Sequence, residues 1–222
     1  MVSPSQIAQD LHALGVRPGD CVLTHSSYKA VAGEEGVEGG PAGVVQGLVE
    51  AVGHGGCALF PAHTWLGAGT KSPPRVDMAA TEPRAVGGIP VAAFHRKDAL
   101  RSCHPTHSVV AIGGLAQWLV ERHQDESVGI CGIESPYERL TRPPNRRGWI
   151  LLLGVDHERN TSLHMIEELL EVPRAMTKTI LVKVGRGTKE PLLRRSRFHQ
   201  NHWRRFQVLD PVFDREGIQV CG

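Results

Sequence analysis

The sequence predicts an α/β fold, and three observations predict it. Apolar runs of strand length alternate with segments of helical periodicity along most of the chain. One such run, Trp149-Ile150-Leu151-Leu152-Leu153-Gly154-Val155, reads as a buried strand, and an amphipathic helix follows it within a few residues. Neither an internal repeat nor a linker interrupts the 222 residues, so they are read as a single domain, 1–222, least patterned after about residue 175.

The elements follow in order. Ser3-Pro4 opens a helix through Leu14, with proline at a tolerated first-turn position. A turn over 15–19 leads to a short strand, Asp20-Cys21-Val22-Leu23-Thr24, with His25-Ser26-Ser27 at its carboxyl end. Glycine-rich residues 33–40 and Pro41 introduce a helix to about Val52, and Cys57-Ala58-Leu59-Phe60-Pro61 is the next strand. Residues 62–88 are rich in Gly, Pro and Thr without periodicity, and a loop of that length inside a domain is often functional. A helix at 89–94, a strand at 108–112, a helix at 114–123, a loop at 125–136 and a short helix at 137–141 precede the 149–155 strand. The segment from Asn160 to Glu171 then reads as a helix with two faces. Leu163, Ile166, Leu169 and Leu170 form an apolar stripe, while His164, Glu167, Glu168 and Glu171 share the opposite face. Beyond Val172 the pattern weakens to a strand at 179–184 and a helix around 204–214.

Composition narrows the functional classes. A hydrophobic fraction of 41%, a charged fraction of 22% and a net charge of +2 are ordinary for a soluble globular protein. No apolar run reaches membrane-span length, and the amino-terminal residues lack a basic then apolar leader, so a cytoplasmic protein without membrane association is expected. The cysteines at 21, 57, 103, 131 and 221 are odd in number and lack Cys-x-x-Cys spacing; they read as small hydrophobes. Residues 183–205 are rich in Lys and Arg, yet hold no recognised nucleic-acid module and no interleaved stacking aromatics. A solvated basic segment is expected there, with contact to an anionic cofactor as the second option and no nucleic-acid partner.

Four constellations are candidates for chemistry. His164 stands near a helix amino terminus, where the dipole favours the neutral imidazole that a general base needs. A carboxylate one turn on, Glu167 or Glu168, can fix its tautomer; the same spacing also describes a solvated acidic face. His25 with Ser26 and Ser27 ends a strand, where α/β folds place their sites, but the following loop matches no nucleotide-binding motif. Arg101-Ser102-Cys103-His104-Pro105-Thr106-His107-Ser108 holds two histidines three apart, which reads as a structural turn before it reads as a zinc site. Asp156-His157-Glu158-Arg159 lies at a strand's carboxyl end, placed equally for substrate contact or for capping.

Taken in order, these stretches resemble the aminoglycoside 3-N-acetyltransferase family. The resemblance rests on Val22-Leu23-Thr24-His25-Ser26-Ser27, on Gly39-Gly40-Pro41 through Gly56, on the Arg101 to Ser108 block, on Ser135-Pro136-Tyr137 and on Leu151 through Glu167. It covers roughly residues 5–175. It implies a central mixed sheet flanked by helices, distinct from the common GNAT acetyltransferases, and acetyl transfer from acetyl-CoA to the 3-amino group of an aminoglycoside, with no metal. By alignment it implies His164 as catalytic base with Glu167 as its acidic neighbour, and His25 as the second active-site histidine. Ser26, Ser27 and Ser108 border the acetyl-CoA site on the same grounds. Asp77, Asp156 and Glu158 are candidates for an acidic pocket that receives a polycationic acceptor. The alternatives are N-acylation of a different, biosynthetic amine, a non-catalytic CoA-binding relic, and a zinc hydrolase built on the twelve histidines.

Overall fold

The computed structural model describes residues 1–64, 75–104, 106–125, 127–172, 176–185, 192–200 and 205–218. Ser3 Oγ accepts the Gln6 N–H at 3.2 Å and Pro4 fills the first turn, which starts helix α1 (Pro4–Ala13). After β1 (Cys21–Ser26), Ser27 caps the short α2 (Tyr28–Ala32). Helix α3 (Gly40–Val52) packs on α1, so closely that a side chain at Gly47 would strike the Pro4 carbonyl and Ile7. Strand β2 (Cys57–Pro61) follows, then β3 (Arg75–Asp77), α4 (Gly88–Phe94), β4 (Ala99–Arg101), β5 (Val109–Gly113), α5 (Ala116–Val120) and α6 (Pro136–Arg139). Strand β6 (Gly148–Leu153), α7 (Ser162–Leu169), β7 (Met176–Gly185), β8 (Leu192–Gln200) and α8 (Asp210–Arg215) complete the described elements.

Five strands form one sheet in the order β4-β5-β2-β1-β6. β1 runs parallel to both β2 and β6, whereas β5 is antiparallel to β2 and β4 to β5, so the sheet is mixed. The period-two alternation of side chains divides the core in two. Val22, Ala58, Phe60, Val110 and Ile112 face α1, α3 and α4, while Cys21, Leu23, Cys57, Leu59, Val109 and Ala111 face α5, α6 and the 130–131 loop. A second sheet joins β3, β7 and β8.

Several expectations change. The 149–155 run is β6, which ends at Leu153 and, among the described residues, stands at the sheet edge and pairs with β1 alone; Ile150 is 46% exposed. A continuous apolar run mimics a central strand even when only one side is paired. The segment read as a loop over 62–88 contains β3 and a 3₁₀ turn at Arg84–Val86, and β4 lies where no strand was expected. Helix α5 stops at Val120, short of His123, because Glu121 is extended and Arg122 takes φ 62°.

The largest change is in α7. Its polar face turns inward: Glu167 is buried, whereas Ile166, Leu169 and Leu170 are exposed and only Leu163 of the apolar stripe is buried. The helix ends at Leu169, and Glu171, at φ 50°, leaves the shared face. Cys21, Cys57, Cys103 and Cys131 are buried, as expected of small hydrophobes; Cys221, most of the basic 183–205 run and the 65–74 segment lie outside the residues whose side chains are described.

Candidate active site

Three neighbouring strands and one antiparallel strand open onto a single edge. The carboxyl ends of β1, β2 and β6 meet there, and β5, running the other way, contributes its amino end. β1 has its parallel partners on opposite sides, so the crevice beyond it is a topological switch point, where open α/β sheets bind ligands. The loops leaving β1 and β6 are tied to each other. The Ser27 N–H donates to the Leu153 carbonyl at 3.0 Å, and Gly154, at φ 68°, comes so close to Ala30 that a Cβ would sit 2.8 Å from it. The chain then makes a 3₁₀ turn over His157–Arg159, capped by Asp156, whose Oδ1 accepts the Glu158 N–H at 3.0 Å. Buried Asn160, one residue before the N-cap position of α7, satisfies the helix's first N–H, its Oδ1 accepting from Ser162 at 3.1 Å.

These loops surround a cavity of about 590 Å³. Its lining includes Thr24, His25, Ser26 and Ser27 from the end of β1, His63 and His107 from the floor, and Glu158, Arg159, Asn160 and His164 from the β6–α7 connection. Gly87, Gly88 and Lys29 close other sides. His164 is one-third exposed, and its Nδ1–H donates to Glu167 Oε2 at 2.8 Å. A carboxylate can only accept, so this bond puts the proton on Nδ1 and the basic lone pair on Nε2. Phe206 packs edge-on against the imidazole, with ring centroids 5.3 Å apart.

Beneath the cleft runs a file of buried histidines. His63 contacts His107 at 4.8 Å between ring centroids, His107 lies 6.0 Å from His104, and His104 stacks on His123 at 4.7 Å. Their hydrogen bonds fix several tautomers. His104 Nδ1 accepts the His107 N–H at 3.0 Å, which closes the turn expected in the Arg101–Ser108 block. His123 Nε2–H donates to the Ile130 carbonyl at 3.0 Å, leaving Nδ1 to accept from Ser102 Oγ at 2.8 Å. Burial first, and repulsion from neighbouring imidazoles second, push His25 and His63 down to about 3, and burial pushes His123 down to about 4. His104 and His107 are also held well below the ordinary imidazole range by burial. His25 is thus a neutral ring at working pH, and its Nε2 makes no hydrogen bond within the described residues; neither does Thr24 Oγ1 or Ser26 Oγ. Among the described residues no group of three metal-ligating side chains is arranged to hold a metal ion.

The structure sorts the sequence candidates. His25, Ser26, Ser27, Glu158 and His164 line the cavity, with Glu167 directly behind His164. Ser108 lies beneath the wall, fully buried: its hydroxyl donates to the Ala62 carbonyl at 2.6 Å and accepts from Arg101 Nε at 3.0 Å. Asp77 is outside the lining and accepts the Ala79 N–H at 2.9 Å, and Asp156 caps the turn from the rim. Glu168 turns away from His164 and accepts three backbone N–H groups, from Ile130, Cys131 and Gly132, at 2.8–3.1 Å. His63, Lys29 and Asn160 were not singled out in the sequence. For His63 a signal existed, since it stands two residues past the end of β2, at the edge where sites form.

Fold and cleft together define an α/β protein whose switch-point crevice presents a carboxylate-oriented histidine. The family model of aminoglycoside 3-N-acetyltransferase matches residues 23–222, and the chain belongs to that family. It is 37% identical over 182 residues to aminoglycoside N(3)-acetyltransferase III of Serratia marcescens, a match covering 75% of this chain and 64% of that protein. The chain thus spans a little under two thirds of the length of that relative. Among solved structures it resembles AAC-IIIb in a binary complex with CoASH, with a TM-score of 0.82 and 25% identity over 97% of this chain and 85% of that one. It also resembles a mutant of aminoglycoside acetyltransferase AAC(3)-IVa in complex with a gentamicin, with a TM-score of 0.77 and 25% identity over 97% and 77% of the two chains. The expected family and the expected mixed sheet flanked by helices are both borne out. No described helix is long and apolar enough to cross a membrane.

Proposed function

We propose that this protein transfers an acetyl group from acetyl-CoA to the 3-amino group of an aminoglycoside, with His164 as general base. The observation that carries the reading is the 2.8 Å bond from His164 Nδ1–H to Glu167, on the wall of a cavity that His25 also lines. A thioester is already activated, so the obstacle is the acceptor, which is mostly an unreactive ammonium at neutral pH. Nε2 of His164 takes the proton, and Glu167 stabilises the imidazolium as it forms. The free amine attacks the thioester carbonyl: the N–C bond forms, the C–S bond breaks, a second amine proton is released and the sulfur departs as CoA thiol.

His25 and the hydroxyls of Thr24 and Ser26 are neutral polar groups with hydrogen-bonding capacity to spare. They suit the polarised carbonyl oxygen and the amides of the pantetheine arm. Lys29 and Arg159 supply cations for the anionic end of CoA, and Glu158 on the wall, with Asp156 beside it in the same turn, supplies carboxylates for the amines of the acceptor. The gentamicin-bound neighbour supports an aminoglycoside as acceptor. No metal takes part in the reading.

The test is thiol release from acetyl-CoA over a panel of aminoglycosides and simpler amines. His164→Ala is expected to lower kcat by roughly 10²–10⁴-fold, the usual worth of a positioned base, with CoA binding retained. Near-normal turnover in that variant sinks the assignment.

A further inference from the structure

The segment 205–215 lies against the rim of the cleft and is attached to it through polar groups. Phe206 packs on His164. The backbone N–H of Gln207 donates to Glu158 Oε1 at 3.2 Å, and its side-chain Nε2–H donates to Asp156 Oδ2 at 2.6 Å. Further along, Asp210 stands 3.8 Å from His157, and Phe213 packs on the same ring at 4.8 Å between centroids.

Two features of Gln207 are unusual for a purely structural tether. First, among the described residues neither Asp156 nor Glu158 has a salt bridge; Gln207 donates a neutral amide N–H to each, and the other oxygen of Asp156 accepts only the Glu158 N–H that caps the turn. Their negative charge is therefore kept beside the cleft with no cation paired to it among the described residues. Second, Gln207 is exposed, so water competes for both bonds and they break at small cost.

We propose that Gln207 is a resident stand-in for the acceptor: its N–H groups hold the positions on Asp156 and Glu158 that the ammonium groups of a polycationic substrate take. On this view 205–215 is a displaceable strap that sets affinity for polyamine acceptors. The inference rests on the acetyltransferase reading for the identity of the ligand. A cation outcompetes a neutral amide for a carboxylate, because the amide offers only a dipole whereas an ammonium brings a full opposite charge. The strap nevertheless lowers apparent affinity by the fraction of molecules in which it is bound.

The experiment compares wild type with Gln207→Ala and Gln207→Lys. KM for gentamicin and for the monoamine glucosamine is measured by thiol release, and gentamicin binding by calorimetry without acetyl-CoA. Gln207→Ala is expected to lower the KM and Kd for gentamicin by roughly threefold to tenfold, with kcat and the KM for acetyl-CoA unchanged. Gln207→Lys puts an ammonium on the carboxylates and is expected to raise both by at least as much. Glucosamine is expected to respond little to either change. If wild type turns over and gentamicin KM is indifferent to both variants, or moves the opposite way, the strap is wrong and the acetyltransferase reading stands. Tighter gentamicin binding by Gln207→Ala without turnover in any variant keeps the strap and removes the acetyltransferase reading. If no variant binds gentamicin, both fall.

Discussion

Glu167 and Glu168 carry the same side chain on adjacent positions of one helix and do different work. Glu167, buried, accepts from His164 Nδ1–H at 2.8 Å; Glu168 points the other way and collects three backbone N–H groups. Spacing could not separate them, because i+3 and i+4 both reach His164. The family resemblance selected Glu167, and the hydrogen bonds supply the reason: the Glu168 oxygens are already occupied. Replacing Glu167 with Gln keeps an acceptor for Nδ1–H but removes the charge that stabilises the imidazolium. A charge-assisted bond worth roughly 1.5–3 kcal/mol corresponds to a loss of kcat of about 10- to 100-fold. Steady-state kinetics is expected to show that loss in kcat with little change in KM, and a variant with wild-type kcat contradicts the assigned role. Other single residues were harder to read. Ser108 was expected to border the acetyl-CoA site and Asp77 to receive the acceptor, yet Ser108 bonds to Arg101 and Asp77 to a turn, because a hydroxyl or carboxylate near a site looks the same in sequence whether it faces in or out.

At the scale of elements, what was legible depended on local signals. Helices α1 and α3 were found almost to the residue, since Ser3-Pro4 and Gly39-Gly40-Pro41 mark their starts and glycine follows Val52. Strand β2 was found over its full length, bounded by Gly56 and Pro61. Strand β4, three residues long, has no periodicity to detect. Helix α7 was found, but its orientation was not. An apolar stripe normally faces the core, yet here the N–H groups of Ile130, Cys131 and Gly132 find their acceptor in Glu168, which draws the polar face inward. That contact makes a prediction about the element. Glu168→Ala removes three charge-assisted bonds and frees α7 from the loop, with an expected loss of about 2–3 kcal/mol in urea unfolding. An unchanged unfolding midpoint contradicts this account of why the helix lies as it does.

Across the whole molecule, the site was legible as a place on the fold more than as a set of residues. Alternating elements fix an α/β sheet, and such sheets bind ligands beyond the carboxyl ends of their strands; the antiparallel course of β5, which brings His107 to that edge, required the pairing itself. The five buried histidines, His25, His63, His104, His107 and His123, add a property that no single residue has. All are depressed from 6.5, His25 and His63 to about 3 and His123 to about 4, so the unfolded chain binds more protons than the folded one below about pH 6.5. Stability then rises with pH through that window and falls on acidification, with a slope of more than one proton. Urea unfolding between pH 8 and pH 5 is expected to show a flat midpoint down to about 6.5 and a steep fall below it, and a flat profile to pH 5 contradicts the neutral file.

The same file bears on how two partners of opposite sign share one cleft. In the proposed reaction the donor is a polyanion and the acceptor a polycation. A floor of uncharged imidazoles neither attracts nor repels either of them. Sorting by charge therefore falls to the rim, to Lys29 and Arg159 for one and to Glu158 for the other.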